Sequence, residues 1–117
     1  MADRRSKPRL KVSLNAMWDS STEAHSARVT DLSENGCYLS SVGEVRLGEI
    51  VGFRILLPDG DWLYLEGDVR HHTPKTGFGV QFVDLNQEQT AKLADLLLRA
   101  QQPGPQKDEI TADLVEE

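Results

Sequence analysis

Short runs of alternating apolar and polar residues, separated by turn sequences, constrain this chain more than any other feature. In the first run, residues 10–18, the side chains of Leu10, Val12 and Leu14 share one face of an extended strand. Further strand-like runs, punctuated by turn residues, cover residues 27–32, 36–40, 50–57, 62–69 and 78–83. Six short strands at this spacing predict an antiparallel β-barrel, closed or nearly closed, because closure removes exposed sheet edges.

The period of the pattern changes after the last of these runs. Asn86 stands three residues before Gln89, which is the spacing of a helix capping box, and three leucines then recur at helical spacing (Leu93, Leu96 and Leu97). We expect a helix from about residue 87 to residue 102, because the sequence Pro103-Gly104-Pro105 cannot continue it. The predicted fold class is therefore mainly β: a six-stranded antiparallel barrel with a C-terminal α-helix packed on it.

The domain organisation follows from length and composition. A chain of 117 residues has room for one domain, which we place at residues 10–102, between a flexible basic segment, 1–9, and an acidic, disordered tail, 103–117. The single cysteine, Cys37, excludes an internal disulfide and indicates a reducing compartment. No apolar run approaches the roughly 20 residues that a transmembrane helix needs, so we expect a cytoplasmic protein without membrane insertion.

The charge is unevenly distributed along the chain. Its net charge of −6 argues against a nucleic-acid polymer as partner, because affinity for polyphosphates is supplied mostly by Lys and Arg. Residues 1–11, however, carry five basic side chains against one acidic, a local charge of +4, and residues 103–117 carry −4. Because charge effects reach only about 8 Å at physiological ionic strength, the basic segment suits a compact anionic ligand.

Two short motifs carry residues that suit such a ligand. In Arg5-Ser6-Lys7-Pro8-Arg9 two arginines stand four apart, and guanidinium groups form bidentate bonds with phosphate and with the edge of guanine. In the motif Asp31-Leu32-Ser33-Glu34-Asn35-Gly36 the carboxylate can accept from the N–H groups of guanine, and Gly36 permits close approach of the backbone. Taken singly, the first motif is more typical of a solvated basic tail and the second of an ordinary turn.

The order RxxxR, strand, DxSxxG, further strands and C-terminal helix resembles the PilZ domain family of cyclic di-GMP receptors over about residues 4–100. The resemblance implies a six-stranded split barrel with a packed helix, no catalytic activity and no cofactor other than the ligand, cyclic di-GMP. It also implies that the arginines Arg5 and Arg9, with Arg4 as a third, clasp the dinucleotide. Asp31, Ser33 and Gly36 would then receive a guanine on the outer surface of the barrel.

One further ligand contact is expected on the fifth strand. Arg70 ends the series of polar-face residues there and is the candidate to lie over a purine, with His71 as the alternative. The neighbours His71 and His72 point to opposite faces of a strand and make a poor metal pair. We therefore expect no metal site, and no nucleophile can be paired with a base.

The function that these features favour is that of a stand-alone bacterial cyclic di-GMP receptor acting in motility or biofilm regulation. Binding would order the basic segment and signal to an unidentified protein effector. One alternative is a ligand-independent adaptor of the same fold in motility or pilus assembly. A single-strand nucleic-acid-binding barrel is disfavoured by the net charge and by the lack of aromatic residues among the basic ones.

Overall fold

The structure, a computed structural model, describes residues 9–20 and 22–101. The predictions made for Arg4, for Arg5 and for the acidic tail, 103–117, therefore lie outside the described residues. The elements in chain order are β1 (Leu10–Asp19), β2 (Ala24–Leu32), β3 (Gly36–Ser40), β4 (Ile50–Leu56), β5 (Trp62–Thr73), β6 (Gly77–Val83) and α1 (Gln87–Gln101).

All six predicted strands and the predicted helix are present, and the differences are in their lengths. β2 begins at Ala24, three residues earlier than the alternation indicates, and β5 continues to Thr73, four residues past the predicted end. Both extensions lack large aliphatic side chains and pair with a neighbouring strand, β1 in the first case and β6 in the second. Backbone hydrogen bonding to a partner strand therefore maintains the extended conformation where the side chains give no periodic signal.

The six strands form a closed antiparallel barrel. Their order around it is β1-β2-β3-β6-β5-β4, and β1 pairs with both β2 and β4 to complete the ring. Ala16, for example, lies opposite Ala27 of β2 on one side and opposite Ile55 of β4 on the other. The predicted closure is thus confirmed, and no strand of the barrel is left as an open edge.

The interior of the barrel is filled by the apolar residues of the alternating pattern. Along β5, Leu63, Leu65 and Val69 are buried, whereas Trp62 and Tyr64 are exposed on the outer face. Trp18 of β1 is fully buried and stacks on His25 with ring centroids 4.2 Å apart. Burial of these apolar surfaces is the main source of stability for a chain whose described cysteine forms no disulfide.

Helix α1 begins at the predicted capping box. The backbone N–H of Gln89 donates to Asn86 Oδ1, and the backbone N–H of Asn86 donates to Gln89 Oε1, both at 2.8 Å. The predicted leucine stripe, Leu93, Leu96 and Leu97, is buried in the core together with barrel residues. The side chain of Gln89 also donates to the carbonyl oxygen of Tyr64 at 2.8 Å, which fixes the start of the helix against β5.

In residues 9–20 and 22–101, no helix is long and apolar enough to cross a membrane. Over the same residues, no group of three or more His, Cys, Asp or Glu side chains is placed to hold a metal ion.

Candidate functional site

Arg9, the last residue of the first motif, contacts Asp31, the first residue of the second, where β1 begins and β2 ends. Arg9 directly precedes β1, and its Nε donates to Asp31 Oδ1 at 3.1 Å. The pairing of β1 with β2, in which Lys11 lies opposite Asp31, brings these two residues together across 22 positions of sequence. Because the side chains of Arg9 and Asp31 are 53% and 25% exposed, this ion pair remains accessible to a ligand.

A bulge in β2 directs Asp31 to the outer face of the barrel. Val29 lies opposite Leu39 of β3 and Asp31 lies opposite Tyr38, so Thr30 is an extra residue on β2. Val29 and Leu39 both face the core, whereas Asp31 and Tyr38 are only partly buried. The bulge thus allows a buried valine and an outward carboxylate to stand two residues apart.

The remainder of the DxSxxG motif forms the turn between β2 and β3. The hydroxyl of Ser33 accepts from the backbone N–H groups of Asn35, at 3.2 Å, and Gly36, at 3.3 Å. Because β2 ends at Leu32, strand alternation does not extend to Ser33, and this residue is 3% exposed. Ser33 therefore shapes the turn, and its direct contact with a ligand stays a prediction.

Gly36 is required by the close approach of two strands. A Cβ atom at this position would collide with the carbonyl oxygen of Val80 on β6. Glycine here lets the turn lie against β6, which places the Asn35–Gly36 backbone beside the outward residues of that strand.

An open groove of about 370 Å³ lies beside the Arg9–Asp31 pair. Three predicted ligand-binding residues line it: Arg9, Gly36 and Arg70. The other residues that line it come from the β2–β3 turn, β5 and β6: Asn35, His71, Gly79, Val80 and Gln81. Gly79 and Gln81 were not expected from the sequence, because their place in the groove depends on the pairing of β6 with β3 and β5.

A second bulge, on β5, brings both Arg70 and His71 into the groove. Val69 lies opposite Val80 and His71 lies opposite Gly79, so Arg70 is an extra residue on β5. Arg70 Nη1 donates to Gln81 Oε1 at 2.8 Å and lies 3.9 Å from Asp68 Oδ2. Arg70 and His71 are predicted from the sequence as alternative ligand contacts, but both line the groove.

The cysteine next to the motif faces the core behind the groove. Burial raises the pKa of the Cys37 thiol well above its usual range; the nearby Arg9 opposes the rise, and Asp31 adds to it. The thiol is therefore neutral at physiological pH, whereas a nucleophilic cysteine needs a lowered pKa and access to substrate.

Comparison with known proteins supports the same family as the motifs. The PilZ domain family model matches residues 3–99 of the chain. The structure of MotI/DgrA, an inhibitor of motility from Bacillus subtilis, is similar with a TM-score of 0.68 and 17% identity, covering 82% of this chain. This chain spans half (50%) of that chain. No curated protein matches the sequence.

A second solved structure matches over nearly its whole length. It is the PilZ domain of CeSA from a cellulose-synthesizing bacterium, with a TM-score of 0.63 and 19% identity, covering 78% of this chain and 95% of the other. At these identities the likeness concerns the fold. PilZ domains bind cyclic di-GMP as a family and act as binding or adaptor domains, not as enzymes. Since the family model extends over most of the barrel and helix, this chain belongs to the PilZ domain family.

Proposed function

We propose that this PilZ domain is a cytoplasmic cyclic di-GMP receptor that binds the dinucleotide in the groove beside Arg9 and Asp31. The observation that carries the proposal is the Arg9–Asp31 contact, which joins the RxxxR and DxSxxG motifs at one edge of an open groove. Two residues that the resemblance assigns to one ligand are thus already in contact with each other.

The chemistry of the groove suits a guanine dinucleotide. The ligand carries two phosphates and two guanines, and arginine forms bidentate bonds with both kinds of group. Arg9 and Arg70 supply guanidinium groups to the groove. Asp31 does not line it but contacts Arg9 at its edge, where its carboxylate could accept from the N–H groups of guanine. An exposed ion pair contributes only about 0–1 kcal/mol, so the ligand can rearrange the Arg9–Asp31 contact at little cost.

Signalling is proposed to pass through the basic segment. Residues 1–11 carry a net charge of +4, and the two phosphates of cyclic di-GMP would neutralise part of it. In this proposal Arg4 and Arg5 join Arg9 around the ligand, and the changed charge and order of the segment are read by a protein effector. No chemical step is assigned to the domain.

A ligand-independent adaptor is the second candidate, and an exposed aromatic patch favours it. On the outer face of β4 and β5, Trp62 and Tyr64 are 46% and 51% exposed, and the guanidinium of Arg54 lies 5.5 Å from the Trp62 ring centroid. Trp, Tyr and Arg side chains are enriched at protein interfaces relative to the rest of the surface. A partner could bind this patch whether or not the groove is occupied.

Titration calorimetry with cyclic di-GMP tests the receptor proposal. Arg9→Ala and Asp31→Ala should each weaken binding by at least about tenfold, because a hydrogen bond to a charged group contributes about 1.5–3 kcal/mol. Arg99→Ala is a matched control, since Arg99 Nε also donates to a carboxylate, Asp95 Oδ2, at 3.0 Å, but on α1. This variant should bind as the wild type does.

Absence of binding by the wild type at high ligand concentration would reject the receptor proposal. Pull-down experiments then address the adaptor: capture of a partner that is unaffected by the nucleotide and by Arg9→Ala, but lost in Trp62→Ala, would support it.

A further inference from the structure

A row of directly paired residues crosses the outer face of four strands next to the groove. Asp31 of β2 lies opposite Tyr38 of β3, Tyr38 lies opposite Gly79 of β6, and Gly79 lies opposite His71 of β5. The carboxylate that contacts Arg9 therefore stands at one end of the row and the imidazole of His71 at the other. Between Tyr38 and His71 the row has no side chain, only the backbone of Gly79.

The fold does not require glycine at position 79. At Gly36 and Gly77 a Cβ atom would collide with a backbone carbonyl oxygen of the neighbouring strand, Val80 O and Leu39 O respectively. At Gly79 the nearest atoms would be Tyr38 Cδ1 at 3.6 Å and His71 Cβ at 3.7 Å, which are ordinary van der Waals contacts. Nor does the backbone of Gly79 adopt a positive φ, unlike that of Gly77.

A glycine in the interior of a strand weakens the strand and commonly marks a bulge, a bend, or a place where a ligand or another backbone approaches closely. No backbone approaches Gly79 as one approaches Gly36 and Gly77, and the extra residue of the bulge opposite it, Arg70, belongs to β5 and not to β6. The uncovered backbone of Gly79 is therefore open to a ligand in the groove. Gly79 also lines the groove together with Arg9, Arg70 and His71. A flat ring on Gly79 would lie in the same groove as the guanidinium groups of Arg9 and Arg70.

We propose that the backbone of Gly79 is the seat on which a guanine ring of cyclic di-GMP lies, with the Tyr38 ring and His71 at its two sides. The proposal rests on the receptor function proposed above and adds to it residues that lie outside both motifs. Gly79 acts as a positioning residue: by carrying no side chain it leaves the height and width that a purine needs. Any side chain there would occupy the place of the ring.

Tyr38 borders this seat on the β3 side. Its ring lies alongside the β6 backbone, since its Cε2 atom is 2.9 Å from where a Cβ of Gly77 would be and its Cδ1 atom is 3.6 Å from that of Gly79. A purine on Gly79 would therefore be close enough to shift the NMR signals of the Tyr38 ring protons. The chain contains only two tyrosines, and the other, Tyr64, lies on the outer face of β5 where β5 pairs with β4.

The test is calorimetric titration of Gly79→Ala and Gly79→Val with cyclic di-GMP, together with thermal unfolding of both variants without ligand. We expect the unfolding temperatures to stay the same or rise, because alanine and valine both restrict the chain more than glycine and valine favours strands. The affinity should fall by at least about tenfold for Gly79→Val and by less for Gly79→Ala, because stacking of the base is prevented.

Gly52→Ala is the matched control for this experiment. Gly52 is a strand glycine on β4, where a Cβ would meet the far end of the Tyr64 side chain, with the hydroxyl oxygen nearest at 2.7 Å. It lies outside the groove, so its variant should bind as the wild type does. In the wild type, ligand should shift the Tyr38 ring signals and leave those of Tyr64 in place.

The two proposals fail in different ways. Suppose that the wild type binds cyclic di-GMP. If Gly79→Val then binds equally well, or if saturating ligand leaves the Tyr38 signals unmoved, the proposal that guanine lies on Gly79 is overturned and the receptor proposal is kept. If the wild type does not bind, both are overturned. Should Gly79→Val fail to fold, Gly79→Ala and the Tyr38 signals of the wild type decide the question.

Discussion

At the scale of single residues, the site is built from side chains that contribute little to the stability of the barrel. The Arg9–Asp31 pair is partly exposed, and such pairs add only about 0–1 kcal/mol to the free energy of unfolding. Arg70 is likewise held at the surface, by Gln81. Substitutions at these positions should therefore report on ligand binding and not on folding.

Cys37, unlike the surface residues of the site, affects folding, because it is fully buried and its titration is linked to unfolding. The folded state keeps the thiol proton where the unfolded chain, with an ordinary thiol pKa of about 8.5, releases it. The contribution of the buried, protonated thiol to the free energy of unfolding is present in full below about pH 8.5. Above that pH it declines by up to about 1.4 kcal/mol per pH unit.

Urea unfolding at pH 7, 9 and 10 measures this effect. The wild type should lose more unfolding free energy with rising pH than Cys37→Ala, whose lower stability at pH 7 reflects lost packing. Rapid alkylation of the native thiol at pH 8, or equal losses in the two proteins, would contradict the burial of Cys37.

At the scale of elements, the sequence predicts most of the barrel and helix, whereas two bulges decide the site. Alternation and the capping box identify the elements because they are local patterns. The extra residues Thr30 and Arg70 cannot be recognised in this way, since a bulge is defined by the register of a partner strand. Sequence patterns therefore predict Arg70 and His71 only as alternative ligand contacts, although the structure brings both to the groove.

The same reasoning explains which site residues were found and which were missed. Arg9 and Asp31 belong to motifs whose order along the chain resembles a known family. Gly79 and Gln81 carry no such signal, because their role depends on strand pairing. Gly79 lies opposite Tyr38 of β3, 41 positions away, and Gln81 lies opposite Asp68 of β5, 13 positions away. Residues brought together by long-range pairing become visible only once the strand order is known.

The capping box at the start of α1 gives a prediction that concerns one element alone. Asn86→Ala should lower the free energy of unfolding by about 1 kcal/mol, because the N–H of Gln89 loses its side-chain acceptor. Affinity for cyclic di-GMP should not change, since Asn86 does not line the groove. Chemical unfolding and calorimetry measure the two quantities.

Gln87→Ala is the matched control for the cap. Gln87 is an exposed residue in the same turn of the helix, and alanine there should alter stability by only a few tenths of a kcal/mol. Equal stability of Asn86→Ala and Gln87→Ala would show that the capping bonds do not stabilise the helix.

At the scale of the whole molecule, the distribution of charge matters more than its sum. The chain carries −6 in total, with +4 in residues 1–11 and −4 in residues 103–117. The described part of the molecule measures 40 × 33 × 28 Å. Charges separated by such distances are screened from each other at physiological salt, where the Debye length is about 8 Å, and much less at 0.01 M, where it is about 30 Å.

Removal of residues 103–117 therefore has an effect that depends on salt. Truncation changes the net charge from −6 to −2, which reduces the long-range repulsion that a ligand with two phosphates meets. We expect affinity for cyclic di-GMP to rise by about two- to fivefold at 0.01 M salt and hardly at all at 0.15 M. Titration of the full and truncated chains at both salt concentrations measures this, with truncated Arg9→Ala as the control for binding in the groove. A gain of the same size at both concentrations would contradict a long-range effect, because only a segment in direct contact with the groove escapes screening.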